Sequence, residues 1–264
     1  MSSPSSTPSP RVGDLLDGRV ALVTGGASGI GLGMATAMAR HGAAAVLACR
    51  RTETGEPAAE ALRADGHDAT CVRCDVTEPD DVHAAVAATL DRHGRLDCLV
   101  HNAVAGKASG PLQHPSDEGW RMLVASSLRA SFECARAAHD ALREVGGSLV
   151  LLTSAAGMEG SAATPLYGAV KAAQRGLAKG LAAEWGPDGI RVNCVAPVAH
   201  TPALAGAIDA DPSLGERLEA RTPLGRIGHP VDDIGPIAVF LASDLSRHVT
   251  GQTLSVDGGG FRGL

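Results

Sequence analysis

An α/β fold, a single doubly wound parallel sheet of about seven strands with helices on both faces, is what this sequence predicts, on three observations. Short apolar runs alternate with stretches of helical spacing along nearly the whole chain. The first run passes through a glycine cluster directly into an amphipathic segment. And 264 residues, 44% of them hydrophobic, are enough for one large core without asking for a second domain.

The first strand is residues 19–24, ending in Thr24-Gly25-Gly26-Ala27-Ser28-Gly29-Ile30-Gly31. Beyond it Ile30, Met34, Ala37 and Met38 recur at helical spacing up to His41 and Gly42. Residues 44–49 read as the second strand, followed by a helix around 56–64 that tolerates Pro57 in its first turn. Residues 69–74 read as the third, after which Thr77 caps a helix opening with Pro79 and Asp80. The fourth strand is 96–101, a long helical region covers roughly 116–145, and 148–153 is the fifth strand. Leu166, Val170, Ala173, Leu177, Leu181 and Trp185 then keep helical spacing. Residues 190–195 and 253–256 are the last two strands. Such sheets bind ligands at the carboxyl ends of their strands, so the glycine turn, Asp75, Asn102, Ser154 and Pro197 are expected along one edge.

A net charge of -6 with no basic run argues against a nucleic-acid surface and points to a small-molecule partner. Residues 1–16 begin with a Ser/Pro-rich stretch that lacks the regions of a signal peptide and reads as a disordered tail. No apolar run is long enough to span a bilayer, so a soluble, cytoplasmic protein with no membrane partner is expected. The six cysteines lie mostly in strand-like runs rather than in ligand groupings, so no metal is expected, and Cys71 and Cys74 read as structural.

The chemistry centres on Tyr167, the one tyrosine in the chain, with Lys171 four positions later. On a helix that interval puts phenol and ammonium on one face, where the ammonium favours phenolate over phenol. Ser154, at the end of the fifth strand, can offer a hydroxyl to a substrate oxygen beside the phenol. Taken alone, a Tyr and a Lys four apart is also the spacing of an ordinary solvated helix face. The glycine turn between strand and helix would aim backbone N–H groups at an anion, although its intervals differ from both G-x-G-x-x-G and a P-loop.

From about Leu16 to Gly259 the chain resembles the short-chain dehydrogenase/reductase family, a single-domain Rossmann-fold family. The matching residues are Thr24-Gly25 with Gly29-Ile30-Gly31, Asp75-Val76, Asn102-Ala103, Ser154, Tyr167 with Lys171, Arg191-Val192-Asn193 through Pro197, and Gly251-Gln252 with Val256 to Gly259. The resemblance implies hydride transfer between a nicotinamide cofactor and a carbonyl or secondary alcohol. Tyr167 would be the acid or base, Ser154 would polarise the substrate oxygen, and Lys171 would lower the phenol's pKa. It implies a cofactor site made of Gly25, Ser28, Gly29, Ile30, Gly31, Arg50, Arg51, Asp75, Val76, Asn102, Ala103, Tyr167, Lys171, Pro197 and Thr201, and a homotetramer. Relatives that prefer NAD commonly carry an acidic residue where this chain has Cys49-Arg50-Arg51. Two guanidinium groups suit a 2′-phosphate, so NADP(H) is expected over NAD(H).

Four departures from the family pattern accompany these matches. The family's Asn-Asn-Ala-Gly is here His101-Asn102-Ala103-Val104, and valine fits poorly at a positive φ. Ser127 stands where the family's proton relay has an asparagine that holds a water largely through its backbone carbonyl. Val198 replaces the glycine after Pro197. The acidic residue after the second strand is missing. A lid is expected at about 198–226, where Ala203, Leu204, Ala207, Ile208 and Leu218 could cover an apolar substrate or equally be ordinary lid packing. Met158, Glu159 and His200 are candidates to reach the pocket, although a lone His or Glu near a loop is more often solvated than functional. Carbonyl reduction or alcohol oxidation is the first reading. Enone reduction, dehydration or isomerisation on the same fold, or nucleotide binding with little turnover, are the alternatives.

Overall fold

The computed structural model describes residues 15–106, 112–114 and 116–261. Seven strands, β1 (Val20–Thr24), β2 (Ala44–Cys49), β3 (Ala69–Arg73), β4 (Cys98–His101), β5 (Ser148–Leu152), β6 (Arg191–Pro197) and β7 (Thr253–Val256), form one sheet in the order β3-β2-β1-β4-β5-β6-β7. All six pairings are parallel. Between β1 and β4 the direction of strand addition reverses, which opens a crevice at their carboxyl ends. The helices are α1 (Gly29–Arg40), α2 (Thr52–Ala64), α3 (Pro79–His93), α4 (Asp117–Val124), α5 (Ala130–Val145), α6 (Ala156–Glu159), α7 (Pro165–Trp185), α8 (Pro202–Ala210), α9 (Ser213–Arg221) and α10 (Gly235–Ala242).

Both faces of the central strands β1, β4 and β5 are buried. Along β1, Ala21 and Val23 join the core cluster that contains residues of α1 and α10, whereas Val20 and Leu22 join the one that contains residues of α3 and α5. That is the two-residue period of a strand covered on each side, and it explains why the strands read as continuous apolar runs rather than alternating ones.

The structure corrects several expectations. The Ser/Pro-rich stretch up to residue 14 lies outside the described residues, but the expected tail runs too far: Leu16 is only 1% exposed and its N–H donates to the His41 carbonyl. Thr77 does not cap α3. Its hydroxyl donates instead to Asp75 Oδ1 at 2.8 Å, and Glu78 occupies the N-cap. The long helical region is interrupted by a π turn at Ala125–Arg129. On α7 the buried side includes Gly168, Val170, Lys171, Gln174, Ala178, Ala182 and Trp185, while Leu166, Ala173, Leu177 and Leu181 are half-buried. The helix is therefore turned from the apolar stripe expected, because Lys171 and Gln174 find polar partners inside the fold.

Among the described residues no helix is long and apolar enough to cross a membrane.

Candidate active site

A cleft of about 650 Å³ opens along the carboxyl ends of the strands. One end is made by Gly25, Ser28, Gly29 and Ile30, by Arg50 after β2, and by Asp75 and Val76 after β3. Asn102, Ala103 and Val104 after β4, with Ser126, Tyr167, Thr201 and Ala203, line much of the rest. Gly25 and Gly29 hold φ of 64° and 55°, a region that side chains resist. The amide nitrogen of Asn102 donates to the carbonyls of Thr24 and Gly25 at 3.1 and 3.2 Å, fastening the turn to β4. No side chain caps α1, so the N–H groups of its first turn face the cleft end without a side-chain acceptor. This cradle suits the phosphates of a dinucleotide.

Arg51 is the exposed N-cap of α2 beside Arg50, and Pro197 closes β6 away from the cleft wall. Asp75 accepts from Thr77 and also lines the cleft, so its turn role and its place at the site coexist. Thr201 lines the cleft and caps α8 through Leu204 N–H. Val104 is accommodated without strain, since no described residue other than glycine has a positive φ. Of the lid residues, Ala203 lines the cleft, and α8 and α9 bury no residue. Glu159 pairs with Arg221 at 2.8 Å and Met158 sulfur accepts from Ser255, so these two side chains tie α6 to its neighbours and do not line the cleft. His200 is exposed, and its N–H donates to the Gly228 carbonyl.

Tyr167 sits in the wall, packed against Leu123 and Val170, with the Ser154 hydroxyl bonded to its phenol. Two glycines set this spacing. A methyl group on Gly168 would come within 2.7 Å of the Ala156 carbonyl oxygen, and one on Gly157 within 2.6 Å of Ala172 N, so α6 lies directly on α7. Ser154 is held in turn by Ala156 N–H at 3.2 Å. The ammonium of Lys171 is 5.5 Å from the centre of the Tyr167 ring and donates to the Leu152 carbonyl at 2.6 Å, while Thr153 Oγ1 donates to the Lys171 carbonyl at 2.9 Å.

The electrostatics reverse one expectation. Burial raises the Tyr167 pKa above the usual phenol value, and the Ser154 bond lowers it by less. The Lys171 ammonium donates to the Leu152 carbonyl, and burial sets the direction of the Tyr167 shift. Burial lowers Lys171 itself to about 8. At neutral pH the site therefore holds a protonated phenol beside a charged ammonium.

Behind this wall lies a polar cluster whose importance the sequence reading did not bring out. The β1–β4 register sets Thr24 beside His101, and Thr24 Oγ1 lies 3.0 Å from His101 Nδ1. That oxygen already accepts from the N–H groups of Asn102 and Ala103, so its own proton goes to Nδ1 and the imidazole proton sits on Nε2. Nε2 then donates to the Ser127 carbonyl at 3.3 Å. Burial, and next the Lys171 charge, hold His101 neutral down to about pH 3. Ser127 is fully buried in the π turn, so its place is behind the cleft and not in its wall. Gln174 was also missed. Its signal was a polar residue seven positions after Tyr167, on the same helical face.

Comparison with known proteins agrees with this fold. The model of a family described as enoyl-(acyl carrier protein) reductase matches residues 25–260. The chain is 38% identical over 250 residues to cis-4-hydroxycyclohexanecarboxylate dehydrogenase of Sinomonas cyclohexanicum, covering 94% of this chain and 98% of that one. It is 36% identical over 252 residues to a 12alpha-hydroxysteroid dehydrogenase of a Clostridium species, covering 93% and 97%. Among solved structures, a gluconate 5-dehydrogenase from Burkholderia cenocepacia J2315 in complex with NADP and tartrate superposes with a TM-score of 0.86 at 37% identity, covering 92% of this chain and 95% of that one.

Proposed function

Because this chain belongs to the short-chain dehydrogenase/reductase family, we propose that it is an NADP(H)-dependent oxidoreductase interconverting a carbonyl and a secondary alcohol. The observation that carries this reading is the placing of a half-buried, protonated phenol, bonded to Ser154, in the wall of a cleft whose far end is a glycine cradle. A bound nicotinamide supplies or accepts the hydride. In reduction Tyr167 donates its proton to the substrate oxygen, and Ser154, whose hydroxyl already meets the phenol, fixes that oxygen in reach. Lys171 keeps a positive charge beside the phenolate that results. Gly25, Ser28, Gly29, Ile30 and Gly31 would hold the pyrophosphate, Asp75 and Val76 the adenine end, and Asn102, Ala103 and Thr201 the nicotinamide side.

The relatives above are named for acting on alcohols, which supports carbonyl chemistry over enone reduction. A panel of uncharged ketones and of enones with NADPH, followed by loss of reduced-nicotinamide absorbance, separates the two. Turnover confined to the enones would reject the reading.

NADP(H) preference is proposed from Arg50, which lines the cleft, and from Arg51 beside it. A hydrogen bond to a charged group is worth about 1.5–3 kcal/mol, so Arg50→Ala should raise the KM for NADPH by roughly 10- to 100-fold and leave that for NADH within about 3-fold. Equal changes for both nucleotides would remove the arginine from 2′-phosphate recognition.

The pH dependence follows from two signs. The Lys171 ammonium loses its proton near pH 8, and the phenol loses its own only above the usual tyrosine value. Reductive kcat should be flat below pH 8 and fall above it, whereas oxidation, which needs a proton acceptor, should rise with pH. A reductive profile still flat at pH 10 would contradict this assignment.

A further inference from the structure

The helices beside the cleft mouth are attached to the rest of the fold by very little. None of residues 202–221, which include α8 and α9, is buried, and none belongs to a core cluster. The two helices lean on each other instead: a methyl group on Gly215 would lie 3.5 Å from Ile208, and Arg217 pairs with Asp211 at 2.9 Å. Segments with so little buried apolar contact open at low free energy. Yet α8 begins in the cleft wall, at Pro202 and Ala203, so its position shapes the space in front of Tyr167.

One side chain ties this unit down. Arg221 is the last residue of α9, and its guanidinium donates to Glu159 Oε2 at 2.8 Å and to the Gly260 carbonyl at 2.7 Å. Its planar face also stacks on Phe261, 3.9 Å from the ring centre. Among the described residues, no other side chain of α8 or α9 bonds to a segment outside residues 201–222.

Both anchors of Arg221 are rigid. Asp257, 7% exposed, accepts from the N–H groups of Gly259 and Phe261 at 3.0 Å, which fixes the turn that presents the Gly260 carbonyl and the ring. Glu159 ends α6, the short helix that begins two residues after Ser154. That helix is pinned along its length: Ala156 N–H donates to Ser154 Oγ, the Gly157 carbonyl accepts from Arg175 at 2.8 Å, and Met158 sulfur accepts from Ser255. Arg175 donates in addition to Thr253 on β7. The part able to move is therefore the α8–α9 unit, and Arg221 joins it to the segment that carries the Ser154 hydroxyl.

We infer that Arg221 is a positioning residue for the reaction: its bond to Glu159 latches α9 onto the Ser154 segment and so holds α8 closed over the substrate. The inference rests on the reading of Tyr167 and Ser154 as the groups that meet the substrate oxygen. With the latch broken the lid spends less time closed, and apparent substrate affinity falls with the closed fraction, whereas the chemical step in a closed complex is unchanged.

The test compares Arg221→Gln, Glu159→Gln and the double variant at saturating NADPH, with a ketone that the parent reduces. Both side chains are part-exposed, so the ketone KM should rise by about 5-fold in Arg221→Gln and about 3-fold in Glu159→Gln, with kcat within about 2-fold. The double variant should match Arg221→Gln and not the product of the two effects, because the residues share one bond. Added salt should weaken ketone binding in the parent and not in Arg221→Gln. Hydrogen exchange reads the latch without turnover: the amides of α8 and α9 should exchange about 5-fold faster in Arg221→Gln, with those of α6 and α7 unmoved. Unchanged exchange in α8 and α9, or KM effects that multiply in the double variant, overturns the latch. A lowered melting temperature with the ketone KM unmoved overturns it too and leaves Arg221 a structural strap. Faster lid exchange in a protein that reduces no ketone would instead reject the enzymatic reading.

Discussion

Tyr167→Phe should lower kcat for ketone reduction by about 1,000-fold, within the range of about 10²–10⁴ that a positioned general acid supplies, and equivalent to about 4 kcal/mol of transition-state stabilisation. The variant keeps the ring that packs on Leu123 and Val170 and loses only the oxygen bonded to Ser154. Nucleotide affinity should stay within about 3-fold and the melting temperature within about 2 °C, since nothing in the core changes volume. The KM–kcat split is the useful part. A phenol that merely filled space would lower binding and stability with little effect on turnover, whereas one that donates a proton does the reverse. Steady-state kinetics with NADPH and a melt of the same sample decide it, and more than a tenth of the parent kcat in the variant would rule Tyr167 out as the donor.

Gly31→Ala should have the second large effect, on binding and not on chemistry. A methyl group there would collide with the Gly25 carbonyl oxygen and come within 2.5 Å of Asn102 Nδ2, both of which belong to the cradle. Neither can retreat cheaply: Asn102 holds the carbonyls of Thr24 and Gly25, and Gly25 has φ of 64°. Overpacking of this kind costs about 1–3 kcal/mol, so the melting temperature should drop by about 2–12 °C. The stabilisation that NADPH gives the parent protein should be lost, because the α1 end and the turn no longer fit one anion. Thermal melts with and without NADPH measure both, and an undiminished nucleotide shift in the variant would show that this turn is not the phosphate site.

Much of the fold could be read directly because its signals are local. The β2 bounds at Ala44–Cys49 coincide with the apolar run, since a strand covered on both faces is apolar throughout. Residues that follow strand ends, such as Asp75 and Asn102, were placed correctly along the cleft because parallel connections leave every carboxyl end on one side. The face of α7 was misjudged for the opposite reason. Leucine spacing marks an apolar stripe, but Lys171 and Gln174 are buried through bonds to Leu152, Ser127 and Ser131, residues 19 to 47 positions away in sequence. Helical spacing carries no record of such partners.

By itself, then, the order of residues determined the strands, the glycine turn, the parallel sheet and the pairing of Tyr167 with Lys171, all of which follow from periodicity and short intervals. Only the tertiary structure decided that Tyr167 is a phenol held above its usual pKa, that the Lys171 ammonium points at Leu152, and that His101 fills the Ser127 carbonyl. Those properties arise from burial and from bonds between distant segments, and desolvation cannot be assigned to a side chain until its neighbours are known.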